Sequence, residues 1–406
     1  MKKIFSIILV LAILVLASVN GYTLSVEDIS AKSAVVICAE TGEIVFEKNA
    51  YEQLPMASTT KIMTSILALE YGATEDYISV TDEMISVEGS SIGLLSGDKI
   101  SLKTLVKGML LESGNDAANT TACIVGGTIS DFVALMNYKA KEIGMYSTSF
   151  ETPSGLDGDK HFSTAFDMAI LGAYAIENPL FKAICSSQEE VVYYGNEPYR
   201  RVFSNNNKLL KLYDGAFGIK TGFTKKSGRC LVSAVEKDGK TLVAVTLNAY
   251  DDWNDHIKMY DYSFDIVKCV EFLCDFQKVK VKVVGSKEKS VGVHIPVMPT
   301  ITTIDNDFSY TSKIYIKPFE YAPINEGDVL GFVEFYDKNG VNIAVADICA
   351  DSTVPVEVKD KEENNLEKFK NLFRWNYGRQ PNQVTKIPFR MWCCFSKKSW
   401  RPHCCR

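Results

Sequence analysis

Apolar positions recur in three different rhythms along this chain. Over residues 33–46, β-branched residues flank the turn Glu40-Thr41-Gly42-Glu43, which predicts two short strands. From Pro55 the period lengthens: Ile62, Met63, Ile66, Leu67 and Leu69 follow at helical spacing, with Pro55 and Ser58 fitting the helix start and Tyr71-Gly72 its stop. Residues 73–100 are mixed and rich in Gly, Ser and Asp. Residues 102–111 read as an amphipathic helix, and residues 120–185 as mainly helical apart from a loop over 152–159. The period then shortens again. Apolar runs at 230–235 and 241–247 flank Lys237-Asp238-Gly239-Lys240, and Asp-Gly between such runs signals an antiparallel hairpin, so Lys220 upstream falls on a strand of the same sheet. From about residue 278 the pattern alternates strictly, as in Val279-Lys280-Val281-Lys282-Val283. Turn signals at Asn325-Glu326-Gly327-Asp328 and Asp337-Lys338-Asn339-Gly340 then predict a small β domain.

Composition narrows the function classes. With 406 residues, 46% of them hydrophobic and 23% charged, the chain has room for two or three domains with a sizeable core. A net charge of −6 offers no basic surface for nucleic acid. Residues 1–21 read as a secretory signal: Lys2 and Lys3, an apolar run from Ile4 to Leu16, then small residues. An uncleaved anchor is the alternative, and either one places the protein outside the cytoplasm. Eleven cysteines in an exported chain suggest disulfides, but Cys38, Cys123, Cys185, Cys230, Cys269, Cys274 and Cys349 are scattered, mostly in apolar runs, as buried free thiols are. The four histidines show no metal-ligand spacing, so no metal is expected.

Three short stretches carry chemistry. Ser58 and Lys61 stand three apart at a helix start, so the lysine amine can fold back to the serine hydroxyl. Such a lysine acts as a base only if burial and neighbouring positive charge lower its pKa. The spacing alone is cheap: Ser286-Lys287-Glu288-Lys289 repeats it in a charged stretch that reads as a solvated turn. Ser113-Gly114-Asn115 is a tight turn between helical patterns, with Gly114 letting the backbone turn so that Ser113 and Asn115 point the same way. Read alone, it is an ordinary loop. Lys220-Thr221-Gly222 on a strand offers a cation for a carboxylate, a hydroxyl, and a position with no side chain to block backbone approach. Lys226-Ser227-Gly228 shows how common such tripeptides are.

Their order is more specific than any one of them. Pro55-Met56-Ala57-Ser58-Thr59-Thr60-Lys61-Ile62-Met63-Thr64, Ser113-Gly114-Asn115-Asp116-Ala117-Ala118, Ser154-Gly155-Leu156 and Gly218-Ile219-Lys220-Thr221-Gly222-Phe223-Thr224 resemble the serine-type D-alanyl-D-alanine carboxypeptidases, the low-molecular-weight penicillin-binding proteins. The likeness spans about residues 25–355. It implies an α+β, β-lactamase/transpeptidase-like fold: an antiparallel sheet flanked by helices, a helical subdomain, and a C-terminal all-β domain. The expected domains are 22–275 for catalysis and 276–358 for the β domain. It also implies Ser58 as acylated nucleophile, Lys61 as its base, Ser113 as proton relay and Lys220, with Thr221, as carboxylate anchor. Asn115 would hold the acyl-chain amide, and the N–H groups of Ser58 and Phe223, beside Gly222, would form the oxyanion hole. The implied substrate is a peptidoglycan stem peptide ending in D-Ala-D-Ala, with β-lactams as inhibitors and no cofactor.

The resemblance also implies a terminal amphipathic helix lying on the membrane surface, which Lys359 to Phe373 could begin, but the pattern fails after Trp375 within the tail 359–406. Residues 371–406 hold eight Lys or Arg, no acid, three of the four Trp and four of the eleven Cys. The sequence favours an altered or divergent terminus, with a basic, aromatic membrane-contacting segment as the rival. Two other functions remain in view. A class A β-lactamase shares the three motifs but also needs a glutamate to activate the deacylating water, and no convincing loop supplies one. A non-catalytic cell-wall scaffold would need no activated nucleophile.

Overall fold

The computed structural model describes residues 24–72, 75–274 and 279–357. The expected signal over 1–21 and the tail over 359–406 lie outside the described residues. Two compact units are present, the first ending at Lys268 and the second starting at Cys269. That boundary falls earlier than the one expected after residue 275. The reason is packing: β10 (Lys268–Glu271) bonds to β13 (Thr300–Thr303), and Phe272 is buried in the core of the second unit.

In the first unit, β1 (Ser33–Cys38), β2 (Ile44–Lys48), β7 (Ala216–Thr224), β8 (Gly228–Lys237) and β9 (Lys240–Ala249) form one antiparallel sheet in the order β2-β1-β9-β8-β7. Asp238 and Gly239 turn the β8–β9 hairpin at positive φ, as the Asp-Gly signal required. All of β1 is buried, and β8 and β9 carry unbroken buried runs. Helices cover both faces, which is why these strands read as continuous apolar stretches rather than alternating ones. On one face, helix α6 (Ala165–Ile176) presses Gly172 close to Val232 and Val243. On the other, Ala34, Val36, Cys38 and Ala244 meet Met259 and Tyr260 of α9 (Asp252–Ile266). Polar Ser233 and Thr246 interrupt that face. His256 satisfies both, through Nδ1 to Ser233 at 2.6 Å and Nε2 to Thr246 at 3.0 Å.

The helical part holds α1 (Lys61–Tyr71), buried on all sides from Lys61 to Ala68, with α4 (Asn115–Gly126) and α5 (Ile129–Glu142). The helix expected at 102–111 is α3 (Leu102–Lys107), capped by Ser101, followed by a π-helical turn over Gly108–Glu112. Among the described residues no helix is long and apolar enough to cross a membrane.

The second unit is a six-stranded sheet, in the order residues 310–316, 329–337, 342–350, 290–294, 280–284 and 319–321, plus the β10–β13 pair. In its strand β11 (Lys280–Val284), Val281 and Val283 are buried while Lys280 and Lys282 are exposed, as the alternation predicts. Cys38, Cys123, Cys185, Cys230, Cys269, Cys274 and Cys349 are all free thiols.

Candidate active site

The first site element is a single 3₁₀ turn, Ala57–Thr60, that runs straight into α1. Ala57 sits at φ +48, a left-handed conformation that costs an L-residue about 1–2 kcal/mol. Two glycines clamp this turn. A Cβ on Gly155, itself at φ +86, would lie 2.0 Å from the Ala57 carbonyl oxygen, and a Cβ on Gly222 would lie 3.0 Å from the Ser58 nitrogen. The sequence expectation that Gly222 clears the way for a backbone thus has its physical counterpart in the Ser58 turn. The same contact brings β7 against the Ser58 turn, placing Phe223 next in sequence after the point of contact.

Lys61 is fully buried, with Nζ 2.8 Å from Ser58 Oγ, 2.7 Å from Asn115 Oδ1 and 2.6 Å from the Ser154 carbonyl oxygen. Burial pushes its pKa well below the ordinary lysine value. The neighbouring Lys220 adds to that, and Asp116 opposes it. A neutral amine has two N–H bonds and one lone pair. Asn115 Oδ1 and the Ser154 carbonyl can only accept, so they take the two protons, and the lone pair is left facing the Ser58 hydroxyl. That is the arrangement of a base waiting for a proton.

Lys220, on the edge strand β7, is 1% exposed, and its Nζ donates to the Thr221 carbonyl oxygen at 2.8 Å. Burial lowers its pKa to about 7. Two amines are therefore held in one dry site, where charging either one disfavours charging the other. A site of this kind favours an incoming anion.

The family described as D-alanyl-D-alanine carboxypeptidase matches residues 20–251. This chain belongs to that family. It is 33% identical over 331 residues to D-alanyl-D-alanine carboxypeptidase DacF of Bacillus subtilis strain 168, covering 79% of this chain and 85% of that protein. DacC of Escherichia coli K12 is 31% identical over 342 residues, 79% of this chain and 83% of its own length. Among solved structures, the carboxypeptidase DacD of Francisella tularensis aligns with a TM-score of 0.57 at 26% identity, covering 84% of this chain and 96% of that one. The Streptomyces K15 DD-transpeptidase gives the same TM-score at 26% identity, over 60% of this chain and all of its own. The chain is a serine-type D-alanyl-D-alanine carboxypeptidase, a hydrolase of the penicillin-binding class with the transpeptidase-like fold.

Within this carboxypeptidase, two details of the Ser113 turn differ from the sequence expectation. The left-handed residue is Ser113, at φ +63, while Gly114 is at φ −58. Gly114 serves close approach instead, since a Cβ there would lie 2.9 Å from Ile92 Cγ2 and 2.8 Å from Asp116 Oδ1. Asp116 draws that loop in, accepting from Ser91 Oγ at 2.6 Å and from the N–H groups of Ile92 and Leu94 at 3.0 and 3.1 Å. Asn115 commits both ends of its amide inside the protein, Oδ1 to Lys61 and Nδ2 to the Glu88 carbonyl oxygen at 2.7 Å. The structure brings Ser58, Lys61 and Asn115 into direct contact. Ser113 is 9% exposed, and its hydroxyl bonds to neither Ser58 nor Lys61. Among the described residues no carboxylate bonds to Ser58 or Lys61, so the glutamate of a class A β-lactamase has no counterpart in these contacts.

Sequence reasoning passed over His161 and Thr60. A lone histidine in a loop gives no signal, and only the fold brings it onto the turn that carries Ser58.

Proposed function

We propose that this carboxypeptidase releases the terminal D-alanine of peptidoglycan stem peptides through an acyl-enzyme on Ser58. The single observation that carries the assignment is the buried Lys61 amine, 2.8 Å from Ser58 Oγ, with its two N–H bonds already claimed. Lys61 takes the Ser58 proton as Oγ adds to the carbonyl of the penultimate D-alanine. The developing oxyanion is received by the N–H groups of Ser58 and Phe223. Collapse breaks the peptide bond, and the departing D-alanine amine takes the proton held on Lys61, with Ser113 as relay. Water then adds to the acyl carbonyl, again with Lys61 as base, and frees Ser58. Lys220, with Thr221, holds the terminal carboxylate. Asn115 orients Lys61, and the spare lone pair on its Oδ1 faces the substrate amide.

Residues 1–21 support export, and the family acts on D-Ala-D-Ala termini of peptidoglycan and binds β-lactams. The basic, aromatic residues 371–406 are the stretch that would meet anionic lipid. Deleting them should leave hydrolysis of a short soluble peptide unchanged, because the site residues all precede residue 225. The test of the acyl-enzyme is direct: a labelled penicillin forms a stable adduct that peptide mass mapping places on Ser58, and Ser58→Ala forms none. A rapidly released adduct would mark a β-lactamase, and no adduct a scaffold.

A further inference from the structure

One buried histidine that the mechanism leaves unused packs on the nucleophile turn. His161 is 3% exposed; its Nδ1 lies 2.9 Å from the backbone nitrogen of Glu151, and its Nε2 lies 2.9 Å from Thr60 Oγ1. The first contact fixes the second. A backbone N–H only donates, so Nδ1 carries the lone pair, the ring proton sits on Nε2, and Thr60 Oγ1 is the acceptor. Thr60 is fully buried and stands between Ser58 and Lys61.

The loop that ends in His161 grips this turn at several points. Pro153 O accepts from Thr64 Oγ1 at 2.6 Å, Ser154 O accepts from Lys61, and Gly155 abuts Ala57. Those grips use the loop's backbone. The His161–Thr60 bond is the side-chain tie between loop and turn among the described residues.

We propose that His161 is a positioning residue for acylation: its neutral ring, protonated on Nε2, pins Thr60 and so fixes the register of Ser58 and Lys61 on the turn. The inference rests on Ser58 being the nucleophile. A proton added at Nδ1 would point at the Glu151 N–H and break that contact, which holds the ring in place for Thr60. Burial is the main force against that proton and lowers the His161 pKa to about 4. Lys226 and Lys61 act in the same direction and Asp157 against it. The Glu151 carboxylate accepts from the Lys160 N–H at 2.8 Å.

The test uses the full chain and a fluorescent penicillin, reading three quantities for each variant: noncovalent affinity, the acylation rate constant, and final label per protein. Thr60→Val should slow acylation about tenfold, the scale of a lost buried hydrogen bond, with affinity and final label unchanged. Thr60→Ser, which keeps the acceptor, should recover most of the rate. A merely structural role would lower the final label, through misfolded protein, and leave the rate constant of the labelled fraction intact. His161→Leu should match Thr60→Val, and the double variant should be no slower than either. In the wild-type chain, ¹⁵N NMR should show His161 protonated on Nε2 alone from about pH 6 to 8, in line with its buried environment. A wild-type rate constant in Thr60→Val, an Nδ1-protonated ring, or titration of His161 near its ordinary value overturns the proposal while Ser58 remains the labelled residue. Label found on another residue overturns the nucleophile assignment and this inference with it.

Discussion

Two stretches of this chain share the Ser-x-x-Lys spacing, and the fold treats them oppositely. At Ser58 and Lys61, a helix buried on all sides carries the lysine, and its amine reaches the serine hydroxyl. At Ser286 and Lys289, an exposed lysine in a turn reaches the serine's carbonyl oxygen at 2.8 Å, while the Ser286 hydroxyl accepts from the Glu288 N–H at 3.2 Å. The spacing brings the two residues together in both places. Only at the first does burial strip water from the amine, and only there is a second buried amine, Lys220, at hand to lower its proton affinity further. Nucleophile activation is a property of the surroundings.

Lys61→Ala gives the largest expected difference between the two copies. It removes the proposed base, and the acylation rate should fall by roughly 10²–10⁴-fold, on penicillin and on peptide alike, as read by stopped-flow labelling. The matching Lys289→Ala should leave that rate where it was. Near-normal acylation without Lys61 would mean that Ser58 draws its base from elsewhere.

Lys220 gives a smaller and more selective effect. The contact proposed for it with a terminal carboxylate would be charge-assisted, about 1.5–3 kcal/mol, or roughly ten- to a hundredfold in affinity or rate. Lys220→Ala should weaken hydrolysis of peptides ending in free D-alanine by that factor and of amidated analogues much less, whereas Lys61→Ala disables both. Equal losses on both peptides in the Lys220 variant would refute the carboxylate-anchor role. The amine also titrates near pH 7 in the free enzyme, so carboxylate binding draws a proton onto it above that pH. KM for free-carboxylate peptides should therefore rise with pH above about 7, and KM for amidated ones should stay flatter.

How much of this could be read in the chain depended on whether the signal was local. The β8–β9 hairpin follows from Asp238-Gly239 between apolar runs, and the start of the second unit's sheet from the Val/Lys alternation, because turn chemistry and side-chain period act over a few residues. Motif order singled out Ser58, Lys61 and Lys220, and the fold brings the Lys61 amine to Ser58 with Lys220 close by. The partner choices were not. That Asn115 would face Lys61, that Ser113 and not Gly114 would take the left-handed conformation, and that Ser154 would lend its carbonyl all depend on contacts between segments distant in sequence. The unit boundary moved to Lys268 for the same reason, since Phe272 packs on Phe335 with ring centroids 4.6 Å apart.

Stability is a further measure of the contrast. A buried lysine with a lowered pKa binds fewer protons folded than unfolded. Between the folded value of about 7 and the unfolded value of 10.5, stability therefore rises with pH, and the penalty is fully present below about 7. Lys220→Met should stabilise the protein at neutral pH by about 1–4 kcal/mol, the range seen when buried ionic groups give way to packed apolar ones. The gain should shrink toward pH 10.5, while the slope contributed by Lys61, which shifts in the same direction, stays in the stability of both proteins. Urea melts at several pH values would show this, and a pH-independent gain would mean that the Lys220 pKa is not lowered in the folded protein.

The smallest effect is expected where the motif is present and its surroundings are not. Ser286 is 3% exposed, so Ser286→Ala removes a buried hydroxyl that accepts one local backbone N–H, and the cost should be the roughly 0.5–1.5 kcal/mol of a single hydrogen bond. Lys289→Met removes an exposed amine bonded to one carbonyl, and should stay within about 0.5 kcal/mol of wild type. Neither variant should change penicillin acylation by as much as about twofold, since such a shift is only some 0.4 kcal/mol in barrier. A larger kinetic effect from either would show that the second copy acts on the first, and the contrast between their surroundings would no longer account for the difference.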